Sequence, residues 1–163
     1  MAKTNHDPSS LVWSVLRIAL GYIFLWAFLD KLFGLQVATC SGKSIGCSEA
    51  WVHGGSPTAG FLGHATTGPL ASFYHHLAGN ALIDWAFMLG LLFIGIGLFF
   101  GSWIKSASVA GIAMLALMWS SLLWPTNTPG VDEHVIYILI LFGLLANNVP
   151  QKWTLKIPFV KLP

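Results

Sequence analysis

Three places in the sequence bring ionisable side chains to the edge of long apolar runs. Asp30 and Lys31 close the first run, Asp84 opens a second beside Trp85, and Asp132, Glu133 and His134 open another. A carboxylate near a lysine at such a boundary is suited to proton transfer, because burial and a cationic neighbour shift its proton affinity in opposite directions. The same acids serve equally well as helix caps, since an acid in the first turn favours the positive end of the helix dipole. If the runs are antiparallel spans, their ends meet at one level and form a mixed-charge ring, with Trp26 and Trp85 beside it. Asp30, Lys31, Asp84 and His134 are its candidates for proton and oxyanion handling.

Arg17 stands apart from this ring. It lies inside the first apolar run, about 9 Å from Leu11 at 1.5 Å per residue. An ionisable group at that depth is a functional candidate. It either snorkels to the headgroups or contacts a ligand, with Asn147 and Asn148 the nearest polar residues by level.

The two cysteines, Cys40 and Cys47, are seven residues apart with Gly42 and Gly46 between them. Outside the cytoplasm such a pair persists as a disulfide. The alternative, a redox-active pair, lacks the C-x-x-C spacing that lowers a thiol pKa. The six histidines include no His-x-x-x-His or Glu-x-x-His pair, so no metal site is expected. Ligand spacing for haem or iron–sulfur clusters is missing. No flavin motif is present, and Gly90, Gly95 and Gly97 lie within an apolar run rather than after a strand, so no dinucleotide fingerprint is present either.

The elements that must position these residues follow from composition. The chain has 163 residues, 55% of them hydrophobic and 9% charged, with mean hydropathy +0.71. A soluble domain spends about a quarter of its residues on charge, so the expected solvent is lipid. Disorder is excluded by the hydrophobicity, and a net charge of +2 supplies no basic stripe for nucleic acid. A span needs about 20 apolar residues. Four stretches fit: 11–33, 81–103, 106–124 and the shorter 132–148. The prediction is an all-α fold, a four-helix transmembrane bundle forming a single membrane domain over residues 1–163.

Lys3, Lys105, Lys152, Lys156 and Lys161 fall on one side of such a bundle, and Lys31 and Lys43 on the other. Positive charge marks the cytoplasmic side, so both termini are expected in the cytoplasm and segment 34–79 outside. That segment is too long for a bare loop. Pro69 to Leu77 reads as a short interfacial helix with Leu70, Phe73 and Leu77 on one face, and Phe61-Leu62 as another short turn. The small residues of Gly97-x-x-x-Gly101, Ser102, Ser106 and Ala110 permit close helix approach, within the bundle or in a homo-oligomer.

Arg17-x-x-x-Gly21 and the run Phe24-Leu25-Trp26-Ala27-Phe28-Leu29-Asp30-Lys31-Leu32-Phe33-Gly34 resemble the first span of the DoxX/DoxD membrane family. Trp51-Val52-His53-Gly54-Gly55-Ser56-Pro57-Thr58-Ala59-Gly60-Phe61-Leu62 resembles the outer segment of its DoxD branch. Gly68-Pro69-Leu70-Ala71, Asp84-Trp85, Met88-Leu89-Gly90 and Asn127, His134 and Tyr137 continue the likeness in order. The Cys40–Cys47 stretch departs from the family pattern as an insertion.

The resemblance implies a four-helix membrane bundle and the large subunit of a thiosulfate:quinone oxidoreductase, working with a small partner subunit. Such an enzyme joins two thiosulfates into tetrathionate while a membrane quinone takes the electrons. On that reading Lys31, with Lys43, holds an oxyanion. Arg17, Trp26 and Trp85 contact the quinone, and Asp30, Asp84 or His134 manages protons. The competing expectation is a non-catalytic membrane anchor that docks redox or secreted proteins through its outer segment. A transporter is weaker still, since no pair of broken helices suggests a midplane site.

Overall fold

The computed structural model of the chain describes residues 8–125, 128 and 130–155. Five helices follow in order: α1 (Pro8–Phe33), α2 (Ala71–Leu77), α3 (Ala81–Phe99), α4 (Ile104–Ser121) and α5 (Glu133–Ala146). A 3-10 turn at Trp51–His53 and a wide π turn at Phe61–Ala65 lie between α1 and α2. The described residues contain no strand. Helices α1, α3 and α4, of 26, 19 and 18 residues, are long and apolar enough to cross a membrane. Helix α5 is equally apolar but has 14 residues, about 21 Å at 1.5 Å per residue.

Three of the expected spans end early, at Phe99, Ser121 and Ala146, two of them for plain local reasons. Helix α3 stops at Phe99 because Gly101 and Trp103 take left-handed conformations, φ +70° and +53°, that break the helical ladder before α4. Helix α5 stops at Ala146, where Asn147 turns extended. Its start is fixed by Asp132, whose carboxylate accepts the Val135 N–H at 3.2 Å. The short helix expected from Pro69 begins at Ala71.

Helix α1 packs along α3, α3 along α4 and α4 along α5, and α5 touches α1 again. Leu20, Phe24, Met88, Ile94, Leu98 and Leu141 are buried between them. The buried stripe of α1 steps through Ser10, Ser14, Arg17, Gly21 and Phe24, the three- and four-residue spacing of one helix face. At Gly21 a Cβ would collide with the backbone of Phe99, so α1 and α3 meet backbone to backbone. Gly97 likewise faces Ala107 of α4, which places this small residue in packing within the chain. The perimeter is apolar, with Val12, Tyr22, Leu82, Leu89, Val109 and Leu139 all exposed.

The helix ends gather into two groups. At one, the tail end, the start of α1, the end of α3 and residues 150–155 come together. At the other, the segment end, residues 34–79 lie over the end of α1, the start of α3 and the end of α4. Lys3, Lys156, Lys161 and Asn127, which enter the sequence reading, lie outside the described residues.

Candidate functional site

Segment 34–79 is pinned at each helix it crosses. Gly34 ends α1 with φ +64°, and its N–H bonds to the Asp30 carbonyl at 2.7 Å. The chain then curls back over the helix. The Asp30 carboxylate, 2% exposed, accepts the N–H groups of Val37, Ala38 and Thr39 at 3.1, 3.0 and 2.8 Å. Three amide donors satisfy a buried carboxylate. Asp30 is therefore an anchor for the loop, with its acceptor capacity committed to backbone.

The expected disulfide is formed: Cys40 and Cys47 are joined, with Cα atoms 5.8 Å apart. Lys43 pairs with Glu49 on the exposed part of the same loop, so its charge is met locally. Further along, Thr67 N–H donates to the Ser121 carbonyl at 3.0 Å. Tyr74, the buried residue of α2, bonds to the Leu117 carbonyl at 3.1 Å and to Ser120 Oγ at 2.6 Å. Leu70 and Phe73, on the face expected to be apolar, are exposed and Leu77 is half-buried. The hydroxyl of Tyr74 sets the helix's rotation, because a buried phenol must find partners.

Beneath this roof is a cavity of about 600 Å³. Phe61, Leu62, Phe73 and Leu77 form its roof, and Phe87, Met114 and Met118 belong to its walls. Lys31 also lines it, with its ammonium 5.9 Å from the centre of the Phe87 ring. No carboxylate pairs with Lys31 among the described residues. The result is an apolar, aromatic chamber with a single cation on its wall. Its Phe and Met lining was missed in the sequence. The aromatic spacing of Phe61, Phe73 and Phe87 carries no period, since three separate elements deliver them.

Asp84 belongs to a different pocket. It is 6% exposed, and its Oδ1 accepts Ser56 Oγ at 2.9 Å, Thr58 N at 3.2 Å and Thr58 Oγ1 at 2.5 Å. Ser56 and Thr58 come from the Gly-Gly-Ser-Pro-Thr stretch, whose two hydroxyls were the available signal for this contact. Trp85 meets Trp51 edge-on, with ring centres 4.7 Å apart and planes at 72°. Together with Asp84 they line a second, smaller cavity of about 280 Å³.

The remaining candidates are dispersed. Trp26 is exposed on the flank of α1 and stacks on Tyr22 at 6.1 Å, away from Trp85. His134 is buried and its Nδ1 lies 2.8 Å from Asp132 Oδ2; neither residue lines either cavity. Asp132, Glu133 and His134 bring donor atoms within 4.8 Å of one another, although Asp132 is already occupied as cap and histidine partner. The ring expected at this level is thus resolved into separate local contacts, with no ion pair joining them among the described residues.

Arg17 corrects the reading of the tail end. Its guanidinium is fully buried, and it reaches neither Asn147 nor Asn148. It donates instead to the carbonyls of Leu98 and Phe99 at the end of α3 and to those of Lys152 and Trp153. A cation on the last carbonyls of a helix satisfies groups with no intrahelical partner and opposes the negative end of its dipole. Ser14 Oγ accepts the Lys152 N–H at 2.8 Å and Ser10 Oγ donates to the Pro150 carbonyl at 2.6 Å. The polar part of the α1 stripe is therefore a receptor for main chain: both terminal nitrogens of Arg17 are committed to carbonyls, and only its buried Nε has no partner among the described residues.

No family model, curated protein or solved structure matches the chain.

Proposed function

We propose that the chain is the membrane subunit of a quinone-linked oxidoreductase, and that the quinone ring occupies the cavity beneath segment 34–79. The observation that carries this reading is Lys31, a cation on the wall of an apolar chamber with no carboxylate in ion-pair range among the described residues. Phe61, Phe73 and Phe87 offer contact to a flat ring, and the ammonium offers a donor to one ring carbonyl. As the ring takes up electrons its oxygens gain negative charge, and a fixed cation favours that charge more than the neutral ground state. The likeness to the DoxD branch supplies the electron source. Two thiosulfates lose one electron each and join through a new S–S bond, while the quinone takes two electrons and two protons to become the quinol. The small partner subunit of that family is the proposed site of thiosulfate entry, since Lys43 is already paired with Glu49.

The architecture proposed with this function is a four-helix transmembrane bundle with α5 as the short fourth span. Lys105 and Lys152 lie toward the tail end and Lys31 and Lys43 toward the segment end. With Lys3, Lys156 and Lys161 from the sequence, the positive-inside rule puts the tail end in the cytoplasm and the segment outside.

The test is quinone binding to the full chain in detergent. Organic extraction of protein purified from its membrane is expected to yield quinone. A short-chain quinone analogue should bind Lys31→Met about tenfold more weakly than the parent, a difference of about 1.4 kcal/mol. Protein that carries no quinone and binds none, or a Lys31→Met variant with unchanged affinity, overturns the reading.

A further inference from the structure

The second cavity has a chemistry of its own. Asp84 is 6% exposed, yet no cation pairs with it among the described residues. All three of its hydrogen bonds fall on Oδ1, so Oδ2 has no partner among the described residues where Asp84 lines the pocket. Asp84 therefore presents a carboxylate oxygen with no counter-charge to the pocket, and the groups around it indicate what would balance it. Trp51 and Trp85, with planes 72° apart, make two walls of a corner. Gly54, Gly55 and Ser56 are also part of the lining.

A hard divalent cation wants six to eight oxygen ligands, whereas the one carboxylate lining this corner stands beside two indoles. Indole attracts cations through the negative face of the ring, and aromatic walls with a carboxylate are the recurring way to hold an alkylated ammonium. The volume of about 280 Å³ suits a compact headgroup. Its position fits as well: Asp84 and Trp85 stand in the first turns of α3, at the end of a span, where indoles favour the headgroup layer.

We propose that this corner is a binding site for an organic ammonium group, with Asp84 Oδ2 taking the charge and Trp51 and Trp85 packing around it. The group comes either from a phospholipid headgroup in the surrounding leaflet or from a free amine in solution. The site is separate from the Lys31 cavity and stands whether or not that cavity takes a quinone.

Two arms distinguish the sources. In the first, tetramethylammonium and ethanolamine are titrated into the full chain in maltoside detergent and followed by calorimetry, with sodium at matched ionic strength as control. In the second, the protein is reconstituted with equal amounts of phosphatidylethanolamine and phosphatidylglycerol, and retained lipid is counted by native mass spectrometry. A headgroup site gives several-fold preference for the ethanolamine lipid; a free-amine site gives saturable binding in the first arm without lipid preference. Asp84→Asn should weaken whichever is seen about tenfold. Trp85→Leu, at a 56% exposed position where folding is little affected, should weaken it by a similar factor. If the parent shows neither behaviour, or both variants retain it in full, the proposal is wrong.

Discussion

At the scale of single residues, the charged side chains divide by what they touch rather than by where they fall in the sequence. Asp30 and Arg17 both serve main chain: one collects three N–H groups, the other the carbonyls of Leu98, Phe99, Lys152 and Trp153. Each buried donor left unpaired costs about 1–3 kcal/mol. Asp30→Ala should therefore lower stability by at least about 2 kcal/mol and open residues 34–50 to protease, read by melting temperature and by limited digestion. Asp30→Asn, which keeps an acceptor oxygen, should fall between the two. At Arg17 a lysine cannot substitute, because a single ammonium lacks the planar fork that reaches four carbonyls. Arg17→Lys and Arg17→Met should both free Lys152 to trypsin.

These roles were only half legible. That Arg17 and Asp30 mattered followed from their depth in apolar sequence. What they touched did not, since the partners of Arg17 lie 81 to 136 residues away. Those of Asp30 sit in a loop whose curl depends on Gly34. Lys31 shows the same limit, because its neighbours come from the roof, α3 and α4.

Elements behave more predictably. The apolar runs fix α1, α3 and α4, and their lengths follow from hydropathy with errors of a few residues at ends shaped by left-handed residues. The seam between α1 and α3 depends on Gly21, where a side chain would meet the backbone of Phe99. Gly21→Leu should push the two helices apart and lower stability by about 1–3 kcal/mol or more, measured as loss of folded protein on size-exclusion chromatography after mild heating. In the roof, Cys40 and Cys47 close a loop with a sequence separation of 7. Loop-closure entropy gives a disulfide this short about 2.5 kcal/mol. Paired Cys40→Ser and Cys47→Ser changes should cost less than that, because Asp30 already restrains the same loop. The melting temperatures of the parent and the paired variant, each with and without Asp30→Ala, measure that overlap.

For the whole molecule, the two groups of helix ends are chemically unlike. The segment end carries cavities, aromatic residues and the disulfide, whereas the tail end is knitted shut by main-chain hydrogen bonds. The proposed orientation makes the first face the exterior. A cysteine placed at the exposed His75 should react with a membrane-impermeant thiol reagent in intact cells, and one placed at Lys105 only after permeabilisation. The reverse pattern would invert the topology and remove the outward-facing site.

The strap of residues 150–155 across α1 has a consequence for how the protein is made. Lys152, whose carbonyl completes the Arg17 cap, is synthesised 135 residues after it. At roughly 5–20 residues per second, translation needs about 7–27 s to cover that distance. The carbonyls of Leu98 and Phe99 follow Arg17 after 81 and 82 residues, but for the rest of that interval the guanidinium lacks those of Lys152 and Trp153. The cap is half assembled once α3 is made, and only a chain translated through Trp153 can complete it.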